Sequence, residues 1–220
     1  MKNWFASFLA AATCFVLGAH PAHGYSVSYT NTIGSARNDW TNTVAVNQFD
    51  PAGGTLESLQ FSVISGFSTD LNIINFSPTN SDGFAFTKLN QYLDFGAYGL
   101  FNNPLVLSYY SDNFAYSLDA NQSTNSGALL ASDYAAGNTI TDGAILSDFV
   151  GSGFVDFVSY TKTRSFISNS GGNTGASQVT DSYLTTVVTY TYVPEPSVVA
   201  LSGLGLAGLS LVRRRRDHSR

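Results

Sequence analysis

Leu59, Phe61 and Val63 alternate with Ser58, Gln60 and Ser62, and this period of two recurs along much of the chain. Successive side chains of a strand point to opposite faces, so such alternation writes a half-buried β-strand rather than a helix. Farther on, Leu184, Val188, Tyr190 and Tyr192 share one face, with Thr185, Val187, Thr189 and Thr191 on the other. A third run, Gly153 to Thr163, sets Phe154, Val158 and Tyr160 against Val155 and Phe157. Being largely apolar on both faces, it reads as an interior strand, with Asp156 as the discordant residue. Shorter strands are expected at Ser26–Thr30, Thr43–Phe49, Leu71–Phe76, Phe84–Lys88 and Leu105–Tyr110. Turn residues punctuate them: Asp50-Pro51-Ala52-Gly53-Gly54, Ser81-Asp82-Gly83, Asn102-Asn103-Pro104 and Asp142-Gly143. Ser168 to Gln178 is polar and rich in Gly and Asn, which predicts a long exposed loop, and Ser126–Ala136 predicts one short helix. Many short strands without a fixed repeat predict an all-β fold, an antiparallel β-sandwich of jelly-roll-like type.

Both ends of the chain break this pattern. Pro194, Glu195 and Pro196 open the C-terminal segment, and each proline fixes its φ and lacks an amide donor. They uncouple the body from an uncharged apolar run of 16 residues, Ser197 to Val212. Arg213, Arg214, Arg215 and Arg216 follow, a cytoplasmic-side marker. The run is shorter than the ~20 residues that comfortably span a bilayer, but arginine stems snorkel to the headgroups and extend its reach. A last core helix of a soluble domain is the plainer alternative, and it has no use for four unpaired arginines at its end. At the other terminus, Lys2 precedes an apolar stretch from Trp4 to Ala19, and Ala22-His23-Gly24 is a small-x-small cleavage site. This predicts a signal peptide cut between Gly24 and Tyr25, with an uncleaved N-terminal anchor as the alternative.

The C-terminal order of Val-Pro-Glu-Pro-Ser, a Gly/Leu/Ala-rich span (Leu204 to Leu209) and an arginine cluster resembles the PEP-CTERM sorting signal of Gram-negative bacteria. The resemblance covers roughly Val193 to Arg216. It implies recognition of Pro194, Glu195 and Pro196 by an exosortase, a membrane cysteine transpeptidase, and export by the Sec machinery. The expected organisation is a signal peptide (1–24), an exported sandwich (25–193), a sorting and anchor segment with a transmembrane helix (194–216) and a cytoplasmic tail (217–220). By the same resemblance the setting is the envelope or extracellular matrix of a Gram-negative bacterium that makes exopolysaccharide and biofilm. The protein is held transiently in the inner membrane on its way there.

Setting the terminal segments aside changes what chemistry the body can perform. Cys14, His20, His23 and His218 all fall outside Tyr25 to Val193, so that span of 169 residues holds no cysteine and no histidine. No disulfide can form there, although the expected compartment permits one. Its four basic residues, Arg37, Lys88, Lys162 and Arg164, face twelve Asp and Glu57, a formal balance of −9 against −5 for the whole chain. An acidic surface argues against nucleic-acid backbones and anionic lipid as partners. Serine- and cysteine-nucleophile chemistry needs the missing residue types, and zinc, copper and haem sites draw on the same two. The sequence therefore predicts no catalytic residue, no metal ligand and no cofactor. Paired carboxylates suffice for a glycoside hydrolase, and Asp50 with Glu57 or Asp142 with Asp148 are the pairs to nominate. The plainer reading makes Asp50, Asp82 and Asp142 turn residues and Glu57 a solvated strand residue. Calcium suits loop carboxylates, yet no calcium-loop motif names its ligands. Tyrosines could stack on sugars, but β-propensity alone places Tyr in strands.

The run Gln48 to Leu59, with Phe49-Asp50-Pro51 and Gly54-Thr55-Leu56, resembles the opening of the choice-of-anchor E domain. Phe149 to Gly153 and the closing Val187 to Tyr192 fit the same pattern. That resemblance implies architecture and no activity. The sequence thus predicts a non-enzymatic exported protein, with a carbohydrate- or calcium-binding module and an extracellular glycan hydrolase as alternatives.

Overall fold

The computed structural model describes residues 24–96 and 98–195. Nine strands and one helix follow in the order β1 (Tyr25–Arg37), β2 (Thr41–Asn47), β3 (Thr55–Asn75), β4 (Ser81–Asp94), β5 (Leu105–Tyr110), β6 (Phe114–Leu118), β7 (Ser123–Ala136), α1 (Gly143–Asp148), β8 (Phe154–Ser170) and β9 (Thr174–Val193). They form two antiparallel sheets, ordered β1-β9-β3-β7 and β2-β8-β4-β5, with β6 also paired to β4. β5 and β6 lie end to end along β4, opposite Lys88–Leu93 and Ser81–Ala85 respectively. The break between them is held where the Ser111 N–H donates to the Thr87 carbonyl (2.9 Å) and the Thr87 N–H donates to Ser111 Oγ (3.0 Å). Apart from β4 to β6, consecutive strands alternate between the sheets, which is the order expected of a jelly-roll-like sandwich.

The period-two pattern explains the core. Leu59, Phe61 and Val63 point inward from β3, as do Leu184, Val188 and Tyr190 from β9, and all are buried. Phe157, Leu89, Leu93, Leu107 and Tyr109 meet them from the other sheet. Phe61 packs edge-on against Phe95, Phe149 and Phe157 at centroid distances of 5.4, 5.9 and 5.7 Å, and full burial of such a ring stabilises by about 1.5–3 kcal/mol. A second, smaller cluster comprises Leu71, Ile73, Ala85, Tyr116 and Leu118. Between the two lies a threonine seam, in which Thr69 Oγ1 bonds Thr180 Oγ1 (2.7 Å) and Thr87 Oγ1 (3.1 Å).

Several local expectations are corrected. Ser126–Ala136 is the greater part of strand β7, not a helix, because it pairs with β3 from Ser62 to Asp70. Ser168–Gln178 is not a long loop: β8 runs to Ser170, β9 starts at Thr174 in the other sheet, and Gly171 and Gly172 carry the chain between the two sheets with φ of 70° and 53°. Ser81-Asp82-Gly83 lies inside β4. The reversal before it spans Phe76–Asn80, where Asn75 Nδ2 donates to the Thr79 carbonyl (2.8 Å) and Asn75 Oδ1 accepts from the Ser77 N–H (3.0 Å). β8 is interior to its sheet as expected, but only one of its faces is dry, since Phe154 and Val158 are exposed beside Asp156. Leu59–Val63 and Leu71–Phe76 belong to a single 21-residue strand, β3, which ends at Asn75.

Candidate functional site: the paired chain ends

The residues expected to meet processing enzymes converge at one end of the four-stranded sheet. Tyr25, the expected first mature residue, is the first residue of β1 and pairs with Tyr192 of β9. Their rings lie 6.1 Å apart, and Tyr25 is 58% exposed. Gly24 before it is also exposed, so the expected cleavage point lies on an accessible stretch beside the sheet. Val193, the last residue of β9, pairs with Thr55, the first of β3. Pro194 follows at once, half-buried, and Glu195 is exposed. The structure thus brings Gly24 and Tyr25 together with Pro194 and Glu195, with no linker between the sandwich and the motif. Pro196, the apolar run Ser197–Val212, the expected transmembrane helix and Arg213 to Arg216 lie outside the described residues, as do residues 1–23 of the expected signal peptide. Among the described residues no helix is long and apolar enough to cross a membrane.

Sequence reasoning missed the seat beneath this exit, although its signal was the Asp50–Gly54 turn. Asp50 caps a short 3-10 turn (Pro51–Gly53), its side chain accepting from the Ala52 N–H at 2.9 Å. Phe49, fully packed, wedges under β9 with centroids 5.9 Å from Tyr190 and 5.0 Å from Tyr192. Gly54 then takes φ 139°, open to glycine alone, and a Cβ there would collide with the Val193 carbonyl and come within 2.7 Å of Pro194 Cα. The Phe-Asp-Pro-Ala-Gly-Gly phrase therefore shapes the surface on which the last strand passes into the motif. Tyr190 reinforces it by donating its hydroxyl to the Asn47 carbonyl (2.7 Å), and burial pushes that phenol well above the ordinary tyrosine range.

Of the four carboxylates nominated for catalysis, two cap short turns or helices. Asp142 caps α1, accepting from the Ala144 N–H at 2.8 Å, as Asp50 caps its turn. Glu57 is an exposed residue of β3 at the register shift opposite β9. Asp148 closes α1, where its backbone carbonyl accepts from Gln48 Nε2 (2.8 Å). Asp94 is held below the usual carboxylate range by the Gly96 N–H and then by Asn103, the bonds of a turn. Among the described residues no three His, Cys, Asp or Glu side chains gather as a metal site would require.

The model of the PEP-CTERM protein-sorting motif matches residues 193–216, the stretch that begins at the last residue of β9. The chain carries this motif, which implies export, transient membrane anchoring in a Gram-negative bacterium and processing by an exosortase. No curated protein matches the chain. Among solved structures, the chain is similar to that of infectious bursal virus derived T=1 particles, at 13% identity and a TM-score of 0.21, over 87% of this chain and 48% of that one. The infectious bursal disease virus Gx strain gives 12% identity and a TM-score of 0.17, over 87% and 49%. The chain thus spans about half the length of these structures, and likenesses at such scores carry no argument here.

Proposed function

We propose that this chain is a non-enzymatic surface or extracellular-matrix protein whose acidic β-sandwich is exported by the Sec machinery and handed to an exosortase. The observation that carries this reading is the sorting motif at residues 193–216, which emerges directly from the last strand of the sandwich. The nearness of Tyr25 to Tyr192 supports it, because a chain threaded by one end and anchored by the other can present both junctions at one pole. The choice-of-anchor E resemblance of Gln48–Leu59 is in keeping with a domain whose shared property is how it is anchored. Its setting on this reading is the matrix of a bacterium that makes exopolysaccharide. Replacing Pro194 and Glu195 with Ala should leave an unprocessed, membrane-held form on a blot, and deleting the exosortase should give the same species. Unchanged mobility and release in both strains would end the sorting claim.

A further inference from the structure

Three of the four basic residues between Tyr25 and Val193 stand on the outer face of the five-stranded sheet. Lys88 of β4 lies directly opposite Arg164 of β8, and Lys162 stands opposite Asn90, two positions along the same face. Like charges placed opposite each other across a strand pair destabilise it. No carboxylate pairs with any of the three among the described residues, where the ion pair found joins Arg37 to Asp181 (3.2 Å) elsewhere. In a span with thirteen carboxylates, three unpaired cations side by side call for an external anion.

The surroundings say which kind. Each cation lies over an aromatic ring: Lys88 Nζ is 5.3 Å from the Tyr110 centroid, Lys162 Nζ is 5.9 and 5.8 Å from Tyr92 and Tyr160, and Arg164 is 5.1 Å from Phe166. The rings are themselves stacked across the strands, Tyr92 on Tyr160 at 4.5 Å and Phe86 on Phe166 at 4.9 Å. From Phe84 to Tyr92 the stripe runs roughly 27 Å at the strand rise, which suits a linear polymer better than a small anion. Beside Tyr160 and Lys162 a groove of about 440 Å³ is lined by Thr41, Thr163 and Asp39, whose carboxylate accepts from the Thr163 N–H at 2.9 Å. We propose that this face binds an acidic polysaccharide, with its carboxylates over Lys88, Lys162 and Arg164 and its sugar rings against the flanking aromatics. A polynucleotide, which like a polyuronate carries a charge on every residue, is the rival occupant that the poly(dT) arm of the test separates. The proposal deepens the matrix reading and leans on it only for the occupant being extracellular.

The test uses the full chain in detergent, with alginate as the polyuronate probe, dextran as its neutral counterpart and poly(dT) as the nucleic acid. Alginate should bind and dextran should not. The triple variant K88Q/K162Q/R164Q should lose at least tenfold in affinity while keeping its near-UV dichroism. Arg213 to Arg216 are present in both forms, so the difference belongs to the sheet face. In the unaltered protein, alginate should also protect the Lys88 and Lys162 amines from acylation, a readout that needs no variant to fold. Equal affinity of the triple variant, absence of protection, poly(dT) binding as tight as alginate, or a dimer that the three substitutions dissolve would each overturn the proposal. Because sorting is read on blots and binding on purified protein, either can fail without the other.

Discussion

Gly54 is where the sandwich and the sorting motif impose the same demand on one residue. Its φ of 139° and the crowding by Val193 and Pro194 leave no position for a Cβ that keeps both backbones in place. Gly54→Ala should therefore destabilise by about 1–3 kcal/mol, the usual range for forcing a side chain into a sparsely populated backbone region. A drop in Tm with retained β-sheet dichroism would show it, and a Tm equal to that of the unaltered chain would refute it. If Pro194 is presented by this seat, the same substitution should also slow conversion to the processed form in a pulse-chase. Two phenols give a second prediction at this scale. Tyr109 bonds Ser65 Oγ at 2.7 Å and Tyr190 donates to Asn47, and burial raises both above the ordinary tyrosine pKa. A group whose acid form is favoured by folding holds more protons folded than unfolded above about pH 10, so its stabilisation is complete below that pH and is lost as pH rises. Absorbance titration should show two tyrosines that ionise only as the fold melts. Ionisation of every tyrosine near pH 10 with the fold intact would count against this.

The strands themselves are held by more than their apolar faces. Gln91 of β4 donates to Ser159 Oγ (2.7 Å) and the Tyr160 carbonyl (3.2 Å), while its Oε1 accepts from Ser65 Oγ (3.3 Å). This network lies fully buried within the larger core. Gln91→Leu keeps the bulk but strips those partners, and the cost should be about 1–3 kcal/mol by denaturant unfolding. Adding Ser159→Ala to that variant should recover part of the loss, whereas additive losses would mean that no such network exists. These inward polar residues also explain how much of the fold was legible. Where apolar and polar residues alternate strictly, as at Leu59–Val63 and Leu184–Tyr192, strand and inward face follow from the sequence. At Ser65 and Thr69 the inward positions turn polar on either side of Phe67, and Gly66 interrupts, so one strand reads as two. Gly66 is there because the Tyr183 ring lies on it, a contact from a residue over a hundred positions away. Strand β7 reads as helix because Ala128, Leu129, Leu130 and Ala131 favour one locally, and only pairing with β3 overrides that preference. The cationic face was half visible: Lys162 and Arg164 share a face at a spacing of two, but the register that sets Lys88 opposite Arg164 is written nowhere locally.

At the scale of the whole molecule, the ends matter as a pair. Tyr25 beside Tyr192 places the two expected cuts at one pole, a juxtaposition across nearly the full length of the sandwich sequence that no local pattern announces. Those cuts also redistribute charge. The full chain carries a formal −5, while Tyr25 to Val193 alone carries −9, because Lys2, Arg213 to Arg216 and Arg220 all lie outside that span. Processing at both ends should therefore make the released protein bind an anion exchanger at pH 7 more tightly than the full chain in the same neutral detergent. The shift should be toward later elution by salt gradient, and it should vanish when Pro194 and Glu195 are replaced. A released species that elutes with the full chain would mean that the arginines leave the cell with the domain. In that case the basic cluster would be cargo rather than anchor, and the four arginines, not the sheet face, would become the first place to look for an anionic partner.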